Sequence, residues 1–295
     1  MSATRLPTEI DPRIGTGNWE GFKDYPIEHV FEVASRWKAA VKGEPKLWLC
    51  WNASPRWCVV QQRLAKLAGW TPLLGFDPRV GPPPVEPGSI PIDFNDGFGF
   101  PVMWPHFPLE FAFLFIEQKL AFWHADLLCR IPVLNDLVKE YESLADGELA
   151  AVYDIGGRRN YFNFRRHRFW ELAGCTTRAA SENQYYNATG WWRNFQLHIK
   201  CTVPEERARR AKLDYDSGVG IRYWMNKYNG YVRKLDLRTI KEGHCSEIHK
   251  PKTYKEAPNH RTALRDLSRE LDANYSIEQV TKELGIGHLL PPLAR

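Results

Sequence analysis

Val30, Ala34, Trp37 and Val41 recur at intervals of three or four residues, the period of one helix face, and predict a helix over Ile27–Val41. The pattern then changes. Lys46–Asn52 (KLWLCWN) is a short, mostly apolar run between Pro45 and Ser54, as expected of a strand buried on both faces. Ser54 stands as the cap of a second helix with Pro55 at its first position. Trp57, Val60, Leu64 and Leu67 form that helix's apolar stripe, and Gly69 ends it. Thr71–Asp77 (TPLLGFD) predicts a second strand, Gly81–Gly88 a proline-rich loop, and Gly88–Phe94 a third strand. Phe107–Gln118 reads as a helix with Leu109, Ala112, Phe113 and Ile116 on one side. Lys119–Asp126 (KLAFWHAD) predicts a strand, Pro132–Ser143 a helix, and Leu149–Asp154 (LAAVYD) another strand.

Strands alternating with helices of this length predict an α/β fold, a mainly parallel or mixed central sheet flanked by helices. The pattern divides the chain into four stretches. Residues 1–44 hold a polar arm and the first helix, and 45–155 form the α/β half. Residues 156–204 lack clean periodicity, and 205–295 are charged and mostly helical or irregular. In open parallel sheets ligands bind beyond the carboxyl ends of the strands. Asn52, Asp77, Asp93, Asp126 and Asp154 all fall at or just after such ends, although strand ends are commonly polar in any case.

Composition narrows the classes. The chain has 295 residues, 43% hydrophobic and 13% aromatic, enough for a substantial core and unlike a disordered chain. A net charge of +5 is a mild bias that suits phosphate-bearing ligands without demanding nucleic acid. The six cysteines include no CxxC pair, and with no signal-like N-terminus they are expected to be reduced, in a cytoplasmic protein. The longest apolar stretch, Phe107–Trp123, is interrupted by Glu110, Glu117 and Lys119, so no membrane span is expected. No GxGxxG, P-loop or GxSxG sequence occurs, and the chain lacks those signatures of dinucleotide, P-loop or nucleophile-elbow chemistry.

Several residues carry candidate chemistry. His124 and Asp126 share a side of the predicted strand and could hold Mg²⁺ or Mn²⁺, which need only one or two protein ligands when phosphates supply the rest. The same pair could equally be a backbone-satisfied imidazole and a turn-capping carboxylate. Gly156–Trp170 (GGRRNYFNFRRHRFW) interleaves five arginines, Arg158 and Arg165 among them, with five aromatics. That segment suits a solvated face, a diphosphate or anionic clamp, or a single-stranded nucleic-acid surface. Ser276–Ile286 has the rhythm of half a helix-turn-helix, but no recognition helix follows, so a capped helix is expected and no DNA contact. The histidines and cysteines of residues 175–201 and 244–249 match no paired zinc knuckle.

The order of these features resembles the GT-A fold of nucleotide-sugar-dependent glycosyltransferases across about residues 45–200. Phe122–Asp126 (FWHAD) stands where that family carries its metal-binding DxD, His124 replacing the first acidic residue. Asn187–Phe195 (NATGWWRNF) resembles the family's Gly/Trp-rich acceptor loop, and His198 in NFQLH is placed like its late metal-binding histidine. The resemblance implies a sugar moved from a nucleotide-sugar such as a UDP-sugar to a glycan or other hydroxyl, as in polysaccharide biosynthesis. Asp126, His124 and His198 would hold Mn²⁺ or Mg²⁺, with Asn52, Asp77, Arg158 and Arg165 near the nucleotide. Residues 45–155 would then bind the donor and 156–204 the acceptor, with Trp191 and Trp192 stacking on its sugar. The loop shows no carboxylate of its own, so Glu182, Glu171 and Asp154 are the candidate general bases. The alternative is a non-catalytic carbohydrate- or RNA-binding protein that uses the arginine and aromatic segment.

Overall fold

The computed structural model describes residues 27–99, 103, 105–154, 168–187, 189–191, 218–236, 240 and 276–292. Seven strands form one sheet: β1 (Lys46–Asn52), β2 (Thr71–Phe76), β3 (Ile90–Pro91), β4 (Lys119–Trp123), β5 (Glu148–Asp154), β6 (Arg168–Thr177) and β7 (Tyr231–Asp236). Their order across the sheet is β3-β2-β1-β4-β6-β5-β7. β1 pairs in parallel with β2 and β4, β2 with β3, and β5 with β7, while β6 runs antiparallel to both β4 and β5. Every strand except β6 therefore points the same way. The protein is an α/β fold with a mainly parallel mixed sheet. Asn52, Asp77, His124 and Asp154 consequently lie at one edge, the carboxyl edge of β1, β2, β4 and β5.

Strand alternation feeds two core layers. Leu47, Leu49, Trp51, Leu120 and Phe122 face the first, with α1 (Ile27–Ala40), α3 (His106–Glu110), α4 (Ala112–Phe115), α6 (Arg178–Tyr186) and α7 (Gly218–Lys227). Trp48, Cys50, Ala121 and Trp123 face the second, with α2 (Pro55–Leu67), α5 (Ile131–Glu142) and α8 (Ile277–Glu283). Each buried Leu, Val or Phe contributes about 1.5–3 kcal/mol of burial free energy. Aromatic rings fill the centre of both layers. Trp37 packs edge-on against Phe94, Phe107 and Phe115 in the first, and Trp48 lies 4.4 Å from Trp123, centroid to centroid, in the second. Cys50, Cys58, Cys129 and Cys175 are buried free thiols. Among the described residues, no helix is long and apolar enough to cross a membrane.

Several expectations need correction. Ser54 occupies the cap of α2, but its side chain makes no capping hydrogen bond to the helix. Leu67, assigned to that helix's stripe, is exposed. The third strand shrinks to two residues, and the helix over Phe107–Gln118 is two short helices broken at Phe111. At the break the Phe113 N–H donates to Ser181 Oγ at 3.1 Å, where an unbroken helix would have used the Leu109 carbonyl. Residues 156–204, expected to lack clean periodicity, contribute β6 and α6, and the C-terminal part, with its expected helices, also contributes β7, so the sheet continues across the boundaries at 155 and 204. The C-terminal helix is capped as expected, Ser276 Oγ accepting from the Gln279 N–H at 3.3 Å. It docks on α2 through an Arg56–Glu278 ion pair.

Candidate functional site

The strand β4 stops at Trp123, earlier than its sequence pattern implies. The His124 N–H still donates across to Leu172 O at 2.9 Å, and the chain then turns, Leu127 N–H donating to His124 O at 3.0 Å. This turn, and not strand alternation, brings His124 Nδ1 to 3.8 Å from Asp126 Oδ1. Gln61 on α2 holds the turn from behind. Its Nε2 donates to His124 O at 2.7 Å and to Leu127 O at 2.9 Å.

Glu171 reaches the same place through a bulge in β6. Ala151 pairs with Gly174 but Val152 pairs with Trp170, so residues 171–173 carry no β5 partner. Leu172 and Ala173, although consecutive, both pack into the second core layer, and alternation breaks there. Bulges re-aim side chains in this way. Glu171 Oε1 lies 3.5 Å from His124 Nε2 and 3.5 Å from His106 Nε2, the latter presented by the first residue of α3. One turn along the same helix, buried Glu110 lies over Gly190, where a Cβ would sit 1.6 Å from its Oε2. A side chain at that position would have to displace the Glu110 carboxylate.

The cluster is an imidazole held between two carboxylates. Burial alone would push His124 down, but the hydrogen-bonding and charge of Glu171, and then the charge of Asp126, hold it above its ordinary 6.5. Burial alone would raise Glu171, yet His106 and His124 hold it well below its ordinary 4.5. A carboxylate held that low is a poor proton acceptor near neutral pH. Glu171, one of three candidate bases, is placed beside two imidazoles, which lower its proton affinity.

The signs give a pH window. The raised His124 contributes stability that is fully present below 6.5 and is lost as pH rises through its folded value. The lowered Glu171 contributes stability that is present above 4.5 and is lost as pH falls through its folded value. The urea-unfolding difference between wild type and Glu171→Met is therefore expected to be largest between 4.5 and 6.5 and to shrink above that range. A difference that grows toward pH 9 would contradict the assignment.

Other candidates are placed differently. Asn52 is fully buried at the end of β1, its Nδ2 donating to Gly81 O at 2.9 Å. Asp77 is buried and takes Arg79 from both oxygens, at 2.9 and 2.6 Å, which fixes the exit from β2. Glu182 lies on the exposed side of α6. Trp191, expected to stack on an acceptor, is packed in the core with its ring edge-on to Phe122 at 5.5 Å. Burial of the ring leaves no open face for a sugar, which corrects that expectation. The Asp154 side chain, Arg158, Arg165, Trp192 and His198 lie outside the described residues.

His106, Glu110 and Gln61 were not foreseen. Gln61 had a signal: it occupies a stripe position of α2, four residues after Trp57 and three before Leu64. A polar side chain there has to satisfy something buried. Replacing it with leucine strands the Leu127 carbonyl and weakens the turn. Gln61→Leu is expected to cost about 1–3 kcal/mol in urea unfolding. A neutral result would mean the turn holds itself.

Among the described residues, no group of three or more His, Cys, Asp or Glu side chains is arranged to hold a metal ion. His124 and Asp126 offer a pair, which meets the smaller demand of Mg²⁺ or Mn²⁺ when phosphate oxygens and water complete the shell. No family model matches the chain, and comparison with curated proteins and with solved structures returned no significant match.

Proposed function

We propose that this protein is a nucleotide-sugar-dependent glycosyltransferase whose donor diphosphate is held at the carboxyl ends of β1 and β4. The observation that carries the reading is the His124–Asp126 pair, with Glu171 behind it, at that edge. The sheet order supports the location. From β1 the chain runs outward to β2 and β3, then returns to β4 on the other side of β1. The crevice between β1 and β4 is thus a topological switch point, where α/β sheets bind ligands. The helix α2 begins beside it, directly after β1.

In this reading Asp126 and His124 supply the protein ligands of a divalent cation. Such a cation neutralises charge on the departing nucleoside diphosphate. Gln61 keeps the His124–Leu127 turn in register, and Glu171 keeps the imidazole in place. Its low proton affinity leaves deprotonation of an acceptor hydroxyl to another group or to a mechanism that needs none. The test is a thermal-shift screen of UDP and GDP with and without Mn²⁺, followed by slow hydrolysis of the matching nucleotide-sugars. A metal-dependent shift with donor hydrolysis is expected. A shift without hydrolysis would favour a non-catalytic binding protein, and no shift with any nucleotide would remove the reading.

A further inference from the structure

His124 has two ring nitrogens, and the structure gives each a different neighbour. Nε2 faces Glu171 Oε1 at 3.5 Å, and Nδ1 faces Asp126 Oδ1 at 3.8 Å. A neutral imidazole carries one proton, so one nitrogen donates and the other presents a lone pair. Glu171 is the more enclosed of the two carboxylates by a small margin, at 16% side-chain exposure against 20% for Asp126. It is also gripped from the other side by His106 Nε2 at 3.5 Å. Asp126 sits on the turn that leaves the sheet.

We infer that Glu171 is the positioning carboxylate of this site: anchored to α3 through His106, it keeps the proton of His124 on Nε2 and turns the Nδ1 lone pair toward Asp126. The bulge in β6 supports this, because a regular strand would not have left residues 171–173 free of β5. A carboxylate behind a ligating imidazole orients the ring and makes it a better ligand, and removing such a partner commonly weakens metal binding about 10–100-fold. The 3.5 Å spacings are long for hydrogen bonds and are of the kind that tighten once a ligand is bound. The cation in this inference rests on the functional reading above, whereas the ring orientation does not.

The experiment uses the full chain with ¹⁵N-labelled histidine, its His124 signals identified by their loss in His124→Gln. At about pH 9, where imidazoles are neutral, ring-nitrogen shifts report the tautomer. Wild type is expected to show His124 protonated on Nε2. Glu171→Met, similar in length but without an acceptor, is expected to lose that preference, and Glu171→Asp to recover part of it. If Glu171→Met fails to fold, Glu171→Gln, a weaker neutral acceptor of the same size, is expected to give an intermediate tautomer ratio. Mn²⁺ affinity in the presence of UDP or GDP, read by electron paramagnetic resonance, is expected to fall about 10–100-fold in Glu171→Met. An unchanged tautomer in the Glu171 variants overturns the inference, whatever happens to Mn²⁺. If wild type binds no Mn²⁺, the cation reading fails on its own and the tautomer comparison still decides the inference.

Discussion

Asp126→Ala is expected to abolish the Mn²⁺-dependent part of any stabilisation by UDP or GDP. Asp126 lies on a turn outside the sheet, and its carboxylate is part-exposed. Truncating it removes little packing. A ligand that binds only the folded state stabilises by about 2.7 kcal/mol at a hundredfold excess over its dissociation constant. For a chain of this size that is a shift on the order of 5 °C. Of the two proposed ligands Asp126 offers the harder, oxygen donor, so its loss is expected to remove most of what the pair would offer a hard cation. His124→Gln keeps the carboxylate and is expected to retain part of the shift. The two losses are not additive, because both remove one shared ion. Should Asp126→Ala keep the full metal-dependent shift, the ion, if present, is held elsewhere.

Much of the first half was legible because its strands are pure. β1 was predicted to the residue, since a KLWLCWN run between Pro45 and Ser54 has no competing period. The helices α1, α2 and α5 followed from their stripes to within about a turn of the structure. The break at Phe111 was not legible, because the partner that takes the freed N–H, Ser181, comes from 68 residues later. The strand β6 was hidden for a different reason. Its sequence, RFWELAGCTT, places small residues at the centre and a glutamate where the bulge falls. Alanine and glycine are poor strand formers, and only tertiary context makes them suitable.

The site divides the same way. His124 and Asp126 stand out in the sequence by type and spacing, and the structure brings them within 3.8 Å of each other by a turn. Glu171 was named as a carboxylate near the acceptor side, but its contact with His124 depends on the β4–β6 pairing, which no local pattern announces. His106 sits in an apolar run that reads as core, and Glu110 there appeared only as an interruption of hydrophobicity. Both take their meaning from α3 lying over the carboxyl edge of the sheet. His106 and His124, from distant parts of the chain, converge on one oxygen of Glu171, and sequence distance conceals that.

Gly174→Ala is expected to be strongly destabilising. Gly174 pairs with Phe122 on β4 and Ala151 on β5, at the centre of the sheet. A Cβ there would lie 2.5 Å from Ala150 O and 2.5 Å from the Phe122 ring. The ring has some freedom to yield, although Trp191 packs against it. The carbonyl belongs to the β5 backbone, and it retreats only if the β5–β6 ladder opens. Overpacking of this kind costs about 3 kcal/mol, and more where backbone must move. Relief would come by pushing β6 outward beside its bulge, which shifts Glu171 away from His124 and lowers nucleotide-dependent stabilisation as well. The check is urea unfolding of Gly174→Ala alone and combined with Phe122→Leu, which removes the ring contact. A partial rescue is expected, with the remainder assigned to the carbonyl. If Phe122→Leu restores the whole loss, the backbone contact is harmless and the sheet is more compliant here than its geometry indicates.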